Sequence, residues 1–165
     1  MDTPYEPRAY DYNESAKEAN RISGTLLPSR VGGLNAEEEI RLQYSLGLTF
    51  HAAELAGKAI LRSLGTPQNQ IRKEHGQHKL DKLLKSIWEE THKKSKQCCE
   101  LFTDFCCTRI EIDGQAYGTT NGMFLDDFLP IVEPRSYLYP DSISFNYPEP
   151  QNALFIVVSN LIEIA

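Results

Sequence analysis

The sequence predicts an all-α fold, an up-and-down bundle of about four to five helices with a small β-hairpin insertion near residues 109–117. Three observations predict it. Apolar residues recur at steps of three and four over two long stretches, 42–64 and 80–106, and no proline falls inside either. Gly and Pro punctuate the segments between them, and the chain closes on a strongly apolar run, 153–164. Steps of three and four place side chains on one helix face, so such a chain buries helix against helix. At 165 residues, 41% hydrophobic and 24% charged, the expectation is an irregular N-terminal arm, 1–10, followed by a single helical domain, 11–165.

The elements follow in order. Two prolines and two tyrosines mark the arm as irregular. Asp11 to about Leu27 reads as a short helix ended by Pro28 and Gly32-Gly33. Asn35 is a good N-cap, and Glu37, Glu38 and Glu39 sit in the first turn, where the helix dipole favours anions. From there a long helix runs to about Leu64 and stops at Gly65 and Pro67. Leu42, Leu46, Phe50, Ala53, Ala56, Ile60 and Leu64 form its apolar stripe, which makes it the central helix of the bundle. A narrow polar line remains on it: Tyr44, Gly47, His51, Glu54, Lys58 and Arg62.

After a Pro-containing loop, a helix from about Lys79 to Cys107 carries Leu80, Leu83, Leu84, Ile87, Trp88, Thr91, Cys98, Cys99, Phe102, Phe105 and Cys106 on one face, with an interruption near Lys94-Ser95. Arg109 to Tyr117 alternates around Asp113-Gly114, a pair suited to a type I′ hairpin turn. Five prolines between 130 and 150 forbid a long uninterrupted helix there, although Gly122 to Ile131 suits a short one. Pro150 to Ala165 is a closing core helix with proline in its first turn.

Charge is distributed unevenly. The formal net charge of −6 argues against a surface built for non-specific nucleic-acid binding. Yet 72–96 holds eight Lys/Arg against four acids, while 108–150 holds two against seven. An anionic partner would therefore meet the middle of the chain. The basic residues Lys79, Lys82, Lys93 and Lys96 oppose the apolar stripe and read as a solvated face. Residues 1–6 have neither a basic nor an apolar leader pattern and the longest apolar run is too short to span a bilayer, so a cytoplasmic protein without a membrane partner is expected.

Four cysteines in two adjacent pairs, Cys98-Cys99 and Cys106-Cys107, match neither a secreted disulfide framework nor zinc-ligand spacing. Three of them lie on the apolar stripe, so buried thiols acting as small hydrophobes are expected. No metal site, cofactor or Cys/His nucleophile is read from the sequence. The aromatic residues Tyr137, Tyr139, Phe145 and Tyr147 lack neighbouring positive charge and read as packing rather than as a base-stacking platform.

Glu54 and Lys58 stand at i and i+4, the acid N-terminal, within a nearly all-apolar helix. An ionised group there is costly unless paired, and this order is the favourable one. The segment Ala52-Ala-Glu-Leu-Ala-Gly-Lys-Ala59, with His78-Lys-Leu-Asp-Lys-Leu-Leu84 after the loop, resembles the HEPN family (higher eukaryotes and prokaryotes nucleotide-binding). Arg135-Ser-Tyr-Leu-Tyr-Pro-Asp141 is similar to that family's segment before its last helix. The likeness covers roughly 36–107 and 134–165. Gly57-Lys58 also resembles the abortive-infection branch of the same superfamily.

The resemblance implies a helical bundle that homodimerises, and a nucleotide- or RNA-associated role in a prokaryotic defence or toxin–antitoxin type system. Some members are metal-independent ribonucleases, in which an Arg followed a few residues later by a His supplies charge stabilisation and acid–base catalysis. Arg72 and His78 match that spacing here. Their position departs from the family pattern, because the nuclease motif belongs at the start of the last helix. A third implied role is a dimerisation module for a nucleotidyltransferase-like antitoxin partner. His51, Glu54, Lys58 and His78 form the candidate polar cluster, either contacting a nucleotide or, the preferred reading, bonding to one another and locking helices together.

Overall fold

The computed structural model describes residues 6–27, 33–76, 79–112, 114–128 and 149–165. Among these, seven helices and one two-stranded sheet form a helical bundle with a small β insertion: α1 Ala9–Leu26, α2 Ala36–Ser63, α3 Gln68–His75, α4 Leu80–Lys94, α5 Lys96–Cys107, β1 Arg109–Ile112, β2 Gln115–Thr120, α6 Asn121–Phe128 and α7 Glu149–Ile164.

The long helix α2 is the hub, touching α1, α3, α4 and α7. Its start follows from reciprocal capping: Asn35 Oδ1 accepts from the Glu38 N–H at 3.0 Å, and the Glu38 carboxylate accepts from the Asn35 N–H at 2.9 Å. It ends where Gly65 adopts φ +91°, a left-handed conformation that side chains with a Cβ resist. Leu46, Ala52, Ala53, Ala56, Ala59 and Leu61 are almost fully buried along it.

Helix α1 runs antiparallel to α2. Its C-terminal Ser23 meets Ser45 and Thr49, while its N-terminal Tyr12 hydroxyl accepts from Gln68 at 2.7 Å. It starts at Ala9, inside the expected arm, because the Asp11 carboxylate accepts the Arg8 N–H at 2.8 Å and fixes the first turn. Its buried residues are small or polar, Ala16, Ala19, Asn20 and Ser23, which brings the two helices close. Ser23 Oγ donates to the Ser45 carbonyl at 2.9 Å, Ser45 Oγ donates to the Ser23 carbonyl at 3.0 Å, and the Ser23 and Thr49 hydroxyls also bond.

Three differences from expectation have local causes. The Pro-containing loop holds a helix, α3, opened by Pro67 in an extended conformation and anchored by Ile71 at 1% exposure. The single helix expected over 79–107 is two, because Ser95 is fully extended (φ −163°, ψ 156°) and its Oγ accepts from the Cys98 N–H at 3.1 Å, capping α5. The break also moves the cysteines: only Phe102 and Phe105 of α5 are buried, Cys98, Cys99 and Cys106 are half-buried and Cys107 is exposed. The thiols are thus not the enclosed hydrophobes that the stripe implied.

The hairpin is present, with Ile112 paired to Gln115 and Arg109 to Thr120 around an irregularity that inserts extra residues into β2. Asp113, expected in its turn, lies outside the described residues, as do Arg135–Asp141 and the aromatic run 137–147. Helix α6 follows β2 directly, matching the first part of the short helix read from Gly122. Its first residue, Asn121, is fully buried and donates to the Phe105 carbonyl at 3.0 Å. Helix α7 closes the core with Val157, Val158, Leu161 and Ile162. No described helix is long and apolar enough to cross a membrane.

Candidate functional site

The candidate site is built where the middle of α2 meets α3 and the start of α4. Lys58 Nζ donates to Glu54 Oε1, and the two side chains are only 14% and 8% exposed. The apolar stripe forces this enclosure: Ala52, Ala53, Ala56, Ala59 and Ile60 carry the flanking backbone into the core, and the pair goes with them. Two charges so placed are tolerable because each supplies the other's counter-charge at one helical turn.

Helix α3 sets His75 beside the pair. The ring is 5% exposed, and among the described residues neither Nδ1 nor Nε2 has a hydrogen-bond partner. Its nearest acid is Glu74, with Oε2 3.9 Å from Nε2. Burial holds the imidazole below its ordinary value of 6.5; Lys58 and Lys82 push the same way, while Glu74 and Glu54 oppose them. The ring is therefore neutral at physiological pH, with one donor and one acceptor to offer.

The same joint gathers other polar atoms. Arg62 Nη1 donates to the Thr66 carbonyl at 3.1 Å, yet Arg62 Nε, Thr66 Oγ1 and Gln68 Oε1 are buried without a hydrogen-bond partner among the described residues. Buried polar atoms call for water or for a ligand's own polar groups. Buried polar groups thus lie at both ends of α3: the neutral imidazole of His75, within electrostatic reach of the ion pair, and Thr66 and Gln68 at the turn from α2.

The polar line read from the sequence is only partly one site. Glu54 is buried and Lys58 and Arg62 half-buried, whereas Tyr44 at 68% exposure and His51 face solvent at the other end. His51 is not enclosed with the pair. Arg72 lies on α3 rather than in a loop, with an exposed side chain, and His78 lies outside the described residues. Lys82, Lys93 and Lys96 are exposed, and Lys93 and Lys96 pair with Glu90 and Glu100 at 2.9 and 3.5 Å, as a solvated basic face would.

Sequence reasoning missed His75. Its signal was faint: it stands four residues after Ile71, the one apolar residue of α3, and so shares that residue's buried face. Among the described residues no group of three His, Cys, Asp or Glu is placed to hold a metal ion. Compared with protein-family models, curated proteins and solved structures, the chain matches none.

Proposed function

We propose that this chain is a HEPN-like, nucleotide- or RNA-associated protein of a prokaryotic defence or toxin–antitoxin type system, acting in the cytoplasm as a homodimer. The observation that carries the reading is the enclosed Glu54–Lys58 pair on α2 with the buried His75 of α3 within its electrostatic reach. It occupies the segment that resembles the family, and the neighbouring basic residues of α4 suit an anionic ligand. Lys58 supplies a point charge and His75 a neutral donor or acceptor, a set that suits a phosphate and a base edge better than an apolar ligand.

The test is a thermal-shift titration of the full chain with ATP and with a short single-stranded RNA. The expected result is stabilisation that rises with ligand concentration and is abolished in Glu54→Gln/Lys58→Met, which removes both charges together. No stabilisation by either ligand overturns the reading and leaves the dimerisation module for a nucleotidyltransferase-like partner as the better account. The exposure of Arg72 favours a second reading, metal-independent ribonuclease activity through Arg72 and His78. RNA cleavage in the presence of a chelator, lost in Arg72→Ala and in His78→Ala, supports it; full activity in either variant removes that site.

A further inference from the structure

The break at Ser95 creates a contact that a continuous helix forbids. Residues seven apart on one α-helix are separated by roughly 10 Å along its axis. Here Cys99 Sγ lies 3.4 Å from His92 Nε2. The other ring nitrogen, His92 Nδ1, is 2.8 Å from the Trp88 carbonyl oxygen. A carbonyl only accepts, so Nδ1 carries the proton and the lone pair of Nε2 faces the thiol. The Trp88 ring packs on the imidazole with centroids 4.1 Å apart and leans on Phe102, which is buried in the core, at 6.2 Å. The imidazole is held in place, and a third group fixes its tautomer.

A thiol, a base within hydrogen-bond reach and a group orienting that base make the constellation of an activated nucleophile. The other cysteines lack it: no hydrogen bond joins Cys98, Cys106 or Cys107 to a described histidine. Burial beside Cys107 and Asp126 also pushes the Cys106 thiol up to about 11. Access is adequate, since His92 is exposed and Cys99 half-buried at the surface joint of α4 and α5.

We propose that Cys99 and His92 form a nucleophile–base pair that makes Cys99 the modification site of this chain, reacting with small disulfides to form a mixed disulfide. In the step, His92 Nε2 takes the thiol proton as Cys99 Sγ attacks one sulfur of the small disulfide. The new bond joins Cys99 to that sulfur and the small disulfide's S–S bond breaks. The departing thiolate takes the proton back from the imidazolium and leaves as a thiol. The small disulfide is the oxidant, and one disulfide replaces another. Trp88 is the only tryptophan in the chain, so the adduct forms beside a unique fluorescent reporter.

The experiment treats the full chain, reduced and then freed of reductant, with oxidised glutathione and follows adduct formation by peptide mass spectrometry and Trp88 emission. Exposure alone predicts that Cys107 reacts first. The pair predicts a first adduct at Cys99, retained in Cys98→Ser, lost in Cys99→Ser, and slowed by about tenfold or more in His92→Gln, the low end of what a positioned base contributes. His92 is on the surface, and an unchanged circular dichroism spectrum establishes that its variant is folded; His92→Asn is the second variant should the first not be. A first adduct at Cys107, Cys98 or Cys106, or an unchanged Cys99 rate in the folded His92 variant, overturns the proposal.

Discussion

Gly57 of α2 faces Leu83 of α4 so closely that a Cβ at Gly57 would sit 2.6 Å from Leu83 Cδ2. Leu83 is 1% exposed and anchors α4 to the hub helix. Gly57 is therefore a packing residue. Gly57→Ala gains helix propensity but drives a methyl into an already filled core, so a net loss of about 1–3 kcal/mol is expected. Urea unfolding measures it, and Gly57→Ala/Leu83→Ala should recover part of the loss relative to Leu83→Ala alone.

The enclosed ion pair predicts an asymmetry between breaking and replacing. Glu54→Ala takes the carboxylate from the enclosed Lys58, and Lys58→Ala takes the ammonium from the buried Glu54; each should cost about 3–5 kcal/mol. Replacing both with apolar residues of similar length, Glu54→Leu/Lys58→Met, should be close to neutral. Denaturant midpoints of the three variants decide it; a double variant as unstable as the singles would show that the pair does more than balance itself.

Burial of His75 predicts acid sensitivity of a definite sign. Its value in the folded state lies below 6.5, so the unfolded chain binds the proton more readily. The stability due to the neutral ring is then fully present above the unfolded value and is lost as pH falls through the lower folded one. His75→Phe should accordingly show a shallower loss of stability than the parent between about pH 7 and pH 5. The comparison is made by thermal unfolding in matched buffers, and parallel curves would refute it.

Ser95 both stops α4 and caps α5, so Ser95→Ala removes the acceptor for the Cys98 N–H and should lower stability by about 1 kcal/mol. Alanine also favours continuing the helix, which would draw Cys99 away from His92. Thermal melts give the first effect, and Trp88 emission, sensitive to the tilted imidazole packed against it, gives the second.

What the sequence revealed and what it hid divides along the range of the interaction. The start of α2 was legible because Asn35 and Glu38 are a local pattern with a local cause, and its end because Gly65 sits one residue past the last apolar position. The hairpin around Gly114 and the closing helix α7 were legible for similar reasons. Helix α3 was not, since a short polar segment with Ile71 alone as its apolar anchor has no stripe to read. The site suffered from the same limit. Glu54 and Lys58 declared themselves by charge in an apolar context, but only the four-residue step from a single isoleucine, Ile71, distinguishes the buried His75 from the exposed His51. The contact of His92 with Cys99 depends on a chain reversal at Ser95 that the cysteine stripe concealed by keeping phase across it.

The hydroxyl seam between α1 and α2 has a consequence for how the first helix lets go. An apolar face can slide along its neighbour by a turn and still find similar contacts, whereas Ser23, Ser45 and Thr49 satisfy one another in a single axial register. Beyond that seam α1 buries little apolar surface, with Ala16 and Ala19 its only enclosed apolar residues. The helix therefore has no intermediate resting position: it is docked in one registry or released as a unit. Its release would expose the α2 hydroxyls to water together with the strip of α7 on which Asn20 donates to Ser159 Oγ and the Phe155 ring meets Gly24.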